Sequence, residues 1–172
     1  MCIRDRQLEE SLTTDAVTIR RDSIEGLVYE VSGQKNRAAE RFNILEVPVA
    51  AEYQLRLSDG TVVYLNSDSR LSYPTVFKGK ERVVSLEGEA YFNVTKNTEH
   101  PFIVKSGNVQ VRVLGTEFNM CSYSPDNVRV TLIEGKVAVS DTCSLQTVEM
   151  KPGQSAQLVS DGTFAVDEVD TE

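Results

Sequence analysis

Val111-Arg-Val-Leu-Gly-Thr-Glu-Phe-Asn119 decides how this chain is read. Apolar and polar residues alternate at its start, the two-residue period of a strand with one buried face. Gly115-Thr116 interrupts that alternation, and a second strand pattern begins at Glu117. Working outward, the same grammar recurs in Leu57-Ser-Asp-Gly-Thr-Val-Val-Tyr-Leu-Asn66 and Leu86-Glu-Gly-Glu-Ala-Tyr-Phe-Asn-Val94. It returns in Leu132-Ile-Glu-Gly-Lys-Val-Ala-Val139 and Lys151-Pro-Gly-Gln154. The alternation predicts strands over 16–20, 27–31, 53–57, 61–66, 81–86, 90–95, 102–105 and 109–114. Further strands are expected over 117–123, 127–133, 136–140, 146–150, 155–159 and 163–166.

Val, Ile, Tyr, Phe and Thr dominate these pieces, as pleated surfaces favour. Turn formers separate them: Asp59-Gly60, Lys78-Gly79, Ser106-Gly107, Pro125-Asp126-Asn127, Pro152-Gly153 and Asp161-Gly162. Short strands punctuated about every 8 to 12 residues point to a sandwich or barrel. A parallel βαβ architecture is excluded, because no crossover helix is readable. The chain is therefore expected to be all-β. Leu57-Ser-Asp-Gly-Thr61 is echoed by Val159-Ser-Asp-Gly-Thr163, and Leu86-Glu-Gly88 by Ile133-Glu-Gly135. Their separations are unequal, which argues for reuse of a favourable turn rather than for a solenoid. The polar stretch 33–41 is expected to be a long exposed loop or a brief helical turn.

The 172 residues suffice for one domain with a core. Eighteen Lys and Arg stand against 26 Asp and Glu, a formal net charge of -8. No basic cluster is present, so nucleic acid and anionic lipid surfaces are not expected partners. No apolar run reaches the roughly 18 residues of a membrane helix, and no secretory signal is visible. Met1-Cys-Ile-Arg-Asp-Arg6 matches no strand pattern, and residues 1–6 are expected to be a non-native prefix. The chain reads as a fragment of a longer protein.

No catalytic cluster emerges. His100 is the one histidine and precedes Pro101, where the backbone is held extended. Without a second His or a Cys pair it assembles no transition-metal site, and no Gly-x-Ser-x-Gly elbow accompanies it. Glu87 and Glu89 flank Gly88, but glycosidase carboxylates usually come from different strands in a cleft. Asp59, Asp126 and Asp161 fall in turns, where carboxylates cap backbone amides, and do not form a calcium loop. Cys121 and Cys143 are either two thiols in strands or a disulfide, and spacing does not choose. No cofactor and no metal is expected.

The Gly-Thr step carries one specific chemistry. A Thr hydroxyl can attack the preceding carbonyl and convert amide to ester, given a strained peptide and a stabilised oxyanion. Gly115-Thr116 breaks a strand and is the candidate bond, although a bulge or tight corner explains the glycine equally. Gly60-Thr61 and Gly162-Thr163 lie in ordinary Asp-Gly turns.

The order of the motifs resembles the FecR-type anti-sigma regulators over about residues 43–157. It runs through Asn43-Ile-Leu-Glu-Val-Pro48, Glu52-Tyr-Gln-Leu-Arg-Leu-Ser-Asp-Gly-Thr61, Leu65-Asn66, Leu71-Ser-Tyr-Pro74, Phe77 and Glu81-Arg-Val83. Leu86-Glu-Gly-Glu-Ala-Tyr-Phe92, His100-Pro-Phe-Ile-Val104, Val113-Leu-Gly-Thr-Glu-Phe-Asn119, Tyr123, Leu132-Ile-Glu-Gly-Lys-Val137 and Lys151-Pro-Gly-Gln154 complete it. One departure is Val49-Ala50-Ala51, where relatives tend to carry Arg-Gly-Gly or a similar triplet.

The resemblance implies a jelly-roll-like β-sandwich of short antiparallel strands. It divides the chain into N-terminal strands and a polar loop (7–42), a FecR-type β domain (43–160) and a linker to a missing C-terminal domain (161–172). It implies a periplasmic signal-relay domain of a single-pass inner-membrane protein, and no enzyme. The signalling domain of a TonB-dependent outer-membrane transducer would deliver the signal. A missing cytoplasmic module would hold an extracytoplasmic-function sigma factor, and a periplasmic protease is a further expected partner. Some relatives are self-cleaved at a Gly-Thr bond, which points to Gly115-Thr116. An exposed edge around Val109, Val111 and Val113 is the expected docking surface, because a free strand edge accepts an added strand. The alternative is a secreted module binding a glycan or cell-wall polymer through a groove lined by Tyr64, Tyr73 and Tyr91.

Overall fold

A computed structural model describes residues 11–14, 17–22, 26–31, 41–124, 127–159 and 161–170. Among these residues there is no helix, and the all-β expectation is borne out. The chain runs β1 (Ser11–Thr14), β2 (Val17–Asp22), β3 (Gly26–Val31), β4 (Phe42–Val47), β5 (Tyr53–Arg56) and β6 (Val62–Leu65). It continues with β7 (Ser69–Pro74), β8 (Arg82–Asn93), β9 (Phe102–Ser106), β10 (Val109–Val113) and β11 (Glu117–Ser124). The last group is β12 (Asn127–Glu134), β13 (Val137–Asp141), β14 (Thr147–Met150), β15 (Gln154–Leu158) and β16 (Phe164–Glu168). The expected prefix, residues 1–6, and the loop at 32–40 lie outside the described residues.

Two sheets share one long strand. The first sheet has the order β1-β2-β3-β5-β6-β8-β11-β12-β15-β16, and the second has β4-β7-β8-β9-β10-β13-β14. Strand β8 belongs to both: Arg82 to Glu87 pairs with β9 and β7, and Gly88 to Asn93 pairs with β11 and β6. The sequence suggests two strands here, 81–86 and 90–95. The structure joins them, because alternation of buried and exposed residues runs unbroken through Gly88. Most pairs are antiparallel, but β8–β9 is parallel without a helical crossover. That is possible because β8 leaves the second sheet at its middle, so residues 94–101 only have to bring the chain back.

Strands β4 and β7 were not legible as strands. In β7 the core residues Leu71 and Tyr73 alternate with Ser and Arg between a turn residue and Pro74, which disguises the period. In β4 the large apolar residues Phe42 and Ile44 face out, reversing the usual sign of the pattern.

Both sheets bury one face in a single core. Phe92 of the shared strand stacks on Phe118 of the first sheet at 5.0 Å between ring centres, and meets Phe102 of the second at 6.2 Å. Leu55, Leu65 and Leu132 from one side interleave with Leu71, Leu86 and Val139 from the other, all with essentially no exposure. Removing this apolar area from water supplies the main driving force of the fold.

The echoed glycines mark where the chain changes sheet. Gly88 is the switch inside β8, Gly115 joins β10 to β11, and Gly135 joins β12 to β13. At Gly88 the backbone has φ +98°, and a Cβ would stand 2.8 Å from the Ser69 backbone. At Gly115 φ is +147°, and a Cβ would meet the Lys96 Cα at 2.5 Å. Only a residue without a side chain fits such corners. Leu86-Glu-Gly88 and Ile133-Glu-Gly135 are thus alike because both turn a strand from one sheet into the other.

Candidate functional site

Gly115-Thr116 forms the corner at which the chain passes from the second sheet to the first. Thr116 is buried, and its carbonyl accepts the Val94 N–H at 3.0 Å. The Thr116 hydroxyl donates to the Lys136 carbonyl at 2.9 Å. The Asn97 N–H donates to the Leu114 carbonyl at 2.7 Å, so residues 94–97 strap one side of the corner. Gly135 closes the other side, where a Cβ would lie 2.9 Å from Thr116 Oγ1 and 3.1 Å from the Gly115 carbonyl oxygen. Attack of Oγ1 on the Gly115 carbonyl requires a base to take its proton. Here that proton is directed to a backbone carbonyl, and among the described residues no carboxylate or imidazole bonds Oγ1. The arrangement holds a strand corner in place.

The expected docking edge at β10 is corrected by the structure. Val109 to Val113 pairs with β9 on one side and β13 on the other in continuous register. Val109, Val111 and Val113 point into the core with 2% exposure or less. With both hydrogen-bonding rows occupied, this strand offers no edge. Among the described strands the outermost are β1 and β16 in the first sheet, and β4 and β14 in the second.

A buried charge cluster, not evident in the sequence analysis, ties the shared strand to its surroundings. Arg82 opens β8 on the same inward face as Val84 and Leu86. Its Nη1 donates to Asp59 Oδ2 at 2.6 Å and to the Thr95 carbonyl at 3.0 Å, and its Nε donates to the His100 carbonyl at 2.8 Å. The guanidinium carbon lies 5.3 Å from the centre of the Phe102 ring. Asp59 in turn accepts the Thr61 N–H at 3.1 Å and the Thr61 hydroxyl at 2.7 Å. The Thr95 N–H donates to Thr61 Oγ1 at 3.2 Å. One signal was available in sequence: an arginine in the inward phase of Arg82-Val-Val-Ser-Leu86 needs a buried anion.

Other candidates separate. Tyr64 and Tyr91 meet edge-to-face at 5.8 Å on the outer side of the first sheet, whereas Tyr73 is buried in the core. Burial, then the hydrogen bond to Glu117, pushes the Tyr91 phenol up to about 12. Glu89 accepts the Asn66 and Asn119 side-chain amides at 2.9 and 2.8 Å. Glu87 faces Arg70 across the second sheet, so Gly88 parts the two glutamates. His100 contributes its backbone to the Arg82 cluster. Cys121 and Cys143 are both free thiols, and burial raises the pKa of Cys121. Among the described residues no group of three His, Cys, Asp or Glu side chains converges on a metal position.

The sandwich matches known proteins. The family model described as FecR protein matches residues 43–138, from the first residues of β4 into β13. A crystal structure of a candidate anti-sigma factor from Parabacteroides distasonis ATCC 8503 at 2.50 Å superposes with a TM-score of 0.71 and 32% identity. It covers 76% of this chain and 61% of that one. A second crystal structure with the same description, at 1.65 Å, gives a TM-score of 0.70 and 32% identity over 74% and 60% of the two chains. This chain therefore spans about three fifths of the length of those relatives. No curated protein matches it in sequence.

Proposed function

We propose that this chain, which belongs to the FecR protein family, is the signal-relay domain of a transmembrane anti-sigma regulator. The domain stands in the periplasm, receives a signal from a TonB-dependent outer-membrane transducer and passes it to a protein that restrains an extracytoplasmic-function sigma factor. The observation that carries this reading is the shared sandwich: one third of its residues are identical to those of a candidate anti-sigma factor of the same fold. The character of the molecule agrees. The Arg82–Asp59 pair and buried Thr116 brace a turn and a corner of the fold. Function then lies in surfaces and in controlled proteolysis, not in substrate turnover.

Processing at Gly115-Thr116 belongs to this reading as a step that follows opening of the corner, because the closed corner commits the hydroxyl proton to Lys136. Docking of the transducer falls to an outermost strand, since β10 has no free row. The test is co-purification of the complete regulator with the signalling domain of its cognate transducer. Retention that depends on residues 43–158 supports the proposal, and equal retention without them overturns it. A second reading, a secreted glycan-binding module, draws on the Tyr64–Tyr91 pair beside a recess of about 370 Å³ that Glu89 and Asn119 also line. A glycan panel decides it, and absence of binding removes it.

A further inference from the structure

We propose that β4 is a self-pairing edge: two copies of this chain join antiparallel through it, about a two-fold axis at Ile44. The backbone prepares this. The Thr75 N–H donates to the Arg41 carbonyl at 2.9 Å, and β4 runs antiparallel to β7 from Phe42 opposite Pro74 to Val47 opposite Ser69. Hydrogen bonding in such a pair alternates along the strand. Arg41, Asn43, Leu45 and Val47 therefore turn their N–H and C=O toward β7, while Phe42, Ile44 and Glu46 turn theirs away from it. Among the described strands β4 pairs with no other, so that outward row is open among them. The same three residues carry the exposed side chains of the strand, Phe42 at 58% and Ile44 at 54%. Natural edges resist strand addition by placing charge there, as β14 does with exposed Glu149 and β16 with exposed Asp167 and Glu168. Strand β4 places two large apolar residues instead.

The strand is complementary to itself. With Ile44 opposite its own copy, Phe42 falls opposite Glu46 in both directions, and about six backbone hydrogen bonds form, two to each pair. Side chains directly opposite in an antiparallel pair share a face. The two Ile44 side chains then meet, and each Phe42 lies diagonal to the Ile44 of the other copy. Charge follows the same two-fold. A recess of about 490 Å³ beside Phe42 is edged by Phe77 and by the exposed Lys78 and Lys80, and its one carboxylate, Glu81, is held by Arg112 at 2.8 Å. Two-fold pairing carries the Glu46 of each copy toward the lysines beside Phe42 of the other. A parallel pairing sets Glu46 against Glu46 and lysine against lysine. Glu46 also meets Arg70 at 3.2 Å, in an exposed pair too weak to compete strongly. An unrelated strand satisfies the backbone row, but a second copy also supplies the matching apolar pair and the matching charge. This proposal does not depend on the regulatory reading.

Sedimentation equilibrium of the 172-residue chain, from micromolar to near-millimolar concentration, tests it. The average mass is expected to rise with concentration toward twice that of the monomer. Ile44→Lys sets like charges opposite each other at the two-fold, and is expected to weaken association about tenfold or more. Glu46→Lys is expected to weaken it as well, and the addition of Lys80→Glu to restore part of the loss. Amide hydrogen exchange followed by NMR on the unaltered chain fixes the register without relying on any variant to fold. The Phe42, Ile44 and Glu46 amides are expected to gain protection as concentration rises, while those of Asn43, Leu45 and Val47 stay protected throughout. A chain that remains monomeric over the whole range overturns the proposal. So does association that Ile44→Lys leaves unchanged, or a dimer whose gain in protection lies elsewhere than at those three amides.

Discussion

Leu57-Ser-Asp-Gly-Thr61 and Val159-Ser-Asp-Gly-Thr163 make nearly the same turn and do different work. In each, the first residue's N–H donates to the threonine carbonyl at 2.8 Å, and the glycine N–H returns to the first residue's carbonyl at about 3.0 Å. Each aspartate accepts both the N–H and the hydroxyl of its threonine. The first turn is tied to the segment 95–100 at its base: Thr61 has no exposure and accepts the Thr95 N–H, and Asp59 carries the ion pair with buried Arg82. The second stands in water, linking β15 to β16 at an outermost strand. Local sequence writes the turn, and tertiary surroundings decide whether the fold depends on it.

The comparison breaks most visibly at the carboxylates. Asp59→Ala leaves the Arg82 guanidinium buried without its anion, and is expected to cost about 3 to 5 kcal/mol in urea unfolding. Asp161→Ala, the matching change, is expected to fall within the small scatter of surface substitutions. If Asp59→Ala is also small, the buried pair contributes no more than the exposed turn does. Replacing both partners, Asp59→Asn with Arg82→Met, should recover much of the loss, because an uncompensated charge costs more than an absent pair.

The glycines sharpen the same comparison from the other side. Gly60 and Gly162 have φ of +86° and +79°, and a Cβ at either would find comparable room, 3.2 Å from Thr95 Oγ1 or 3.3 Å from Ser144 Cβ. Gly60→Ala and Gly162→Ala are therefore expected to cost similar amounts, about 1 to 2 kcal/mol each. Burial would separate the aspartate pair but not the glycine pair.

Ala50 inverts that experiment. It holds φ +65° at the middle of the Val49-Ala50-Ala51 triplet, where the family resemblance leads to glycine. Ala50→Gly is expected to raise stability by roughly 0.5 to 1 kcal/mol, the relief of left-handed strain less the added chain entropy. A loss on this change would show that Ala50 is held by contacts the strain argument omits.

The smallest expected effect is in acid. The hydroxyl and then the N–H of Thr163 hold the Asp161 carboxyl below its ordinary range. A depressed folded-state pKa contributes stability that is present above the unfolded value and lost as pH falls through the folded one. Thr163→Val removes the hydroxyl, so its stability should differ from the parent's at pH 7 and converge on it below about pH 4. A gap that persists unchanged into acid would assign the difference to packing.

The strand series, the turns and the family were legible because alternation and Asp-Gly or Pro-Gly punctuation are local signals. The roles of Gly88, Gly115 and Gly135 were only half legible: each reads as a break, and only the sheet order shows that the chain changes layer there. Val109, Val111 and Val113 read as one face of a strand, which they are. Whether that strand lies at an edge or in the middle depends on β9 and β13, and a single strand's sequence holds no record of its neighbours. Arg82 was missed for a similar reason, since its anion comes from a turn 23 residues away.

The most direct test is a sigma-factor-dependent reporter in cells carrying the complete regulator gene, with residues 43–158 intact or deleted. The intact gene is expected to switch the reporter when the transducer meets its ligand, and the deletion to fix it in one state. An unchanged response after deletion would contradict a signal-relay role for this domain.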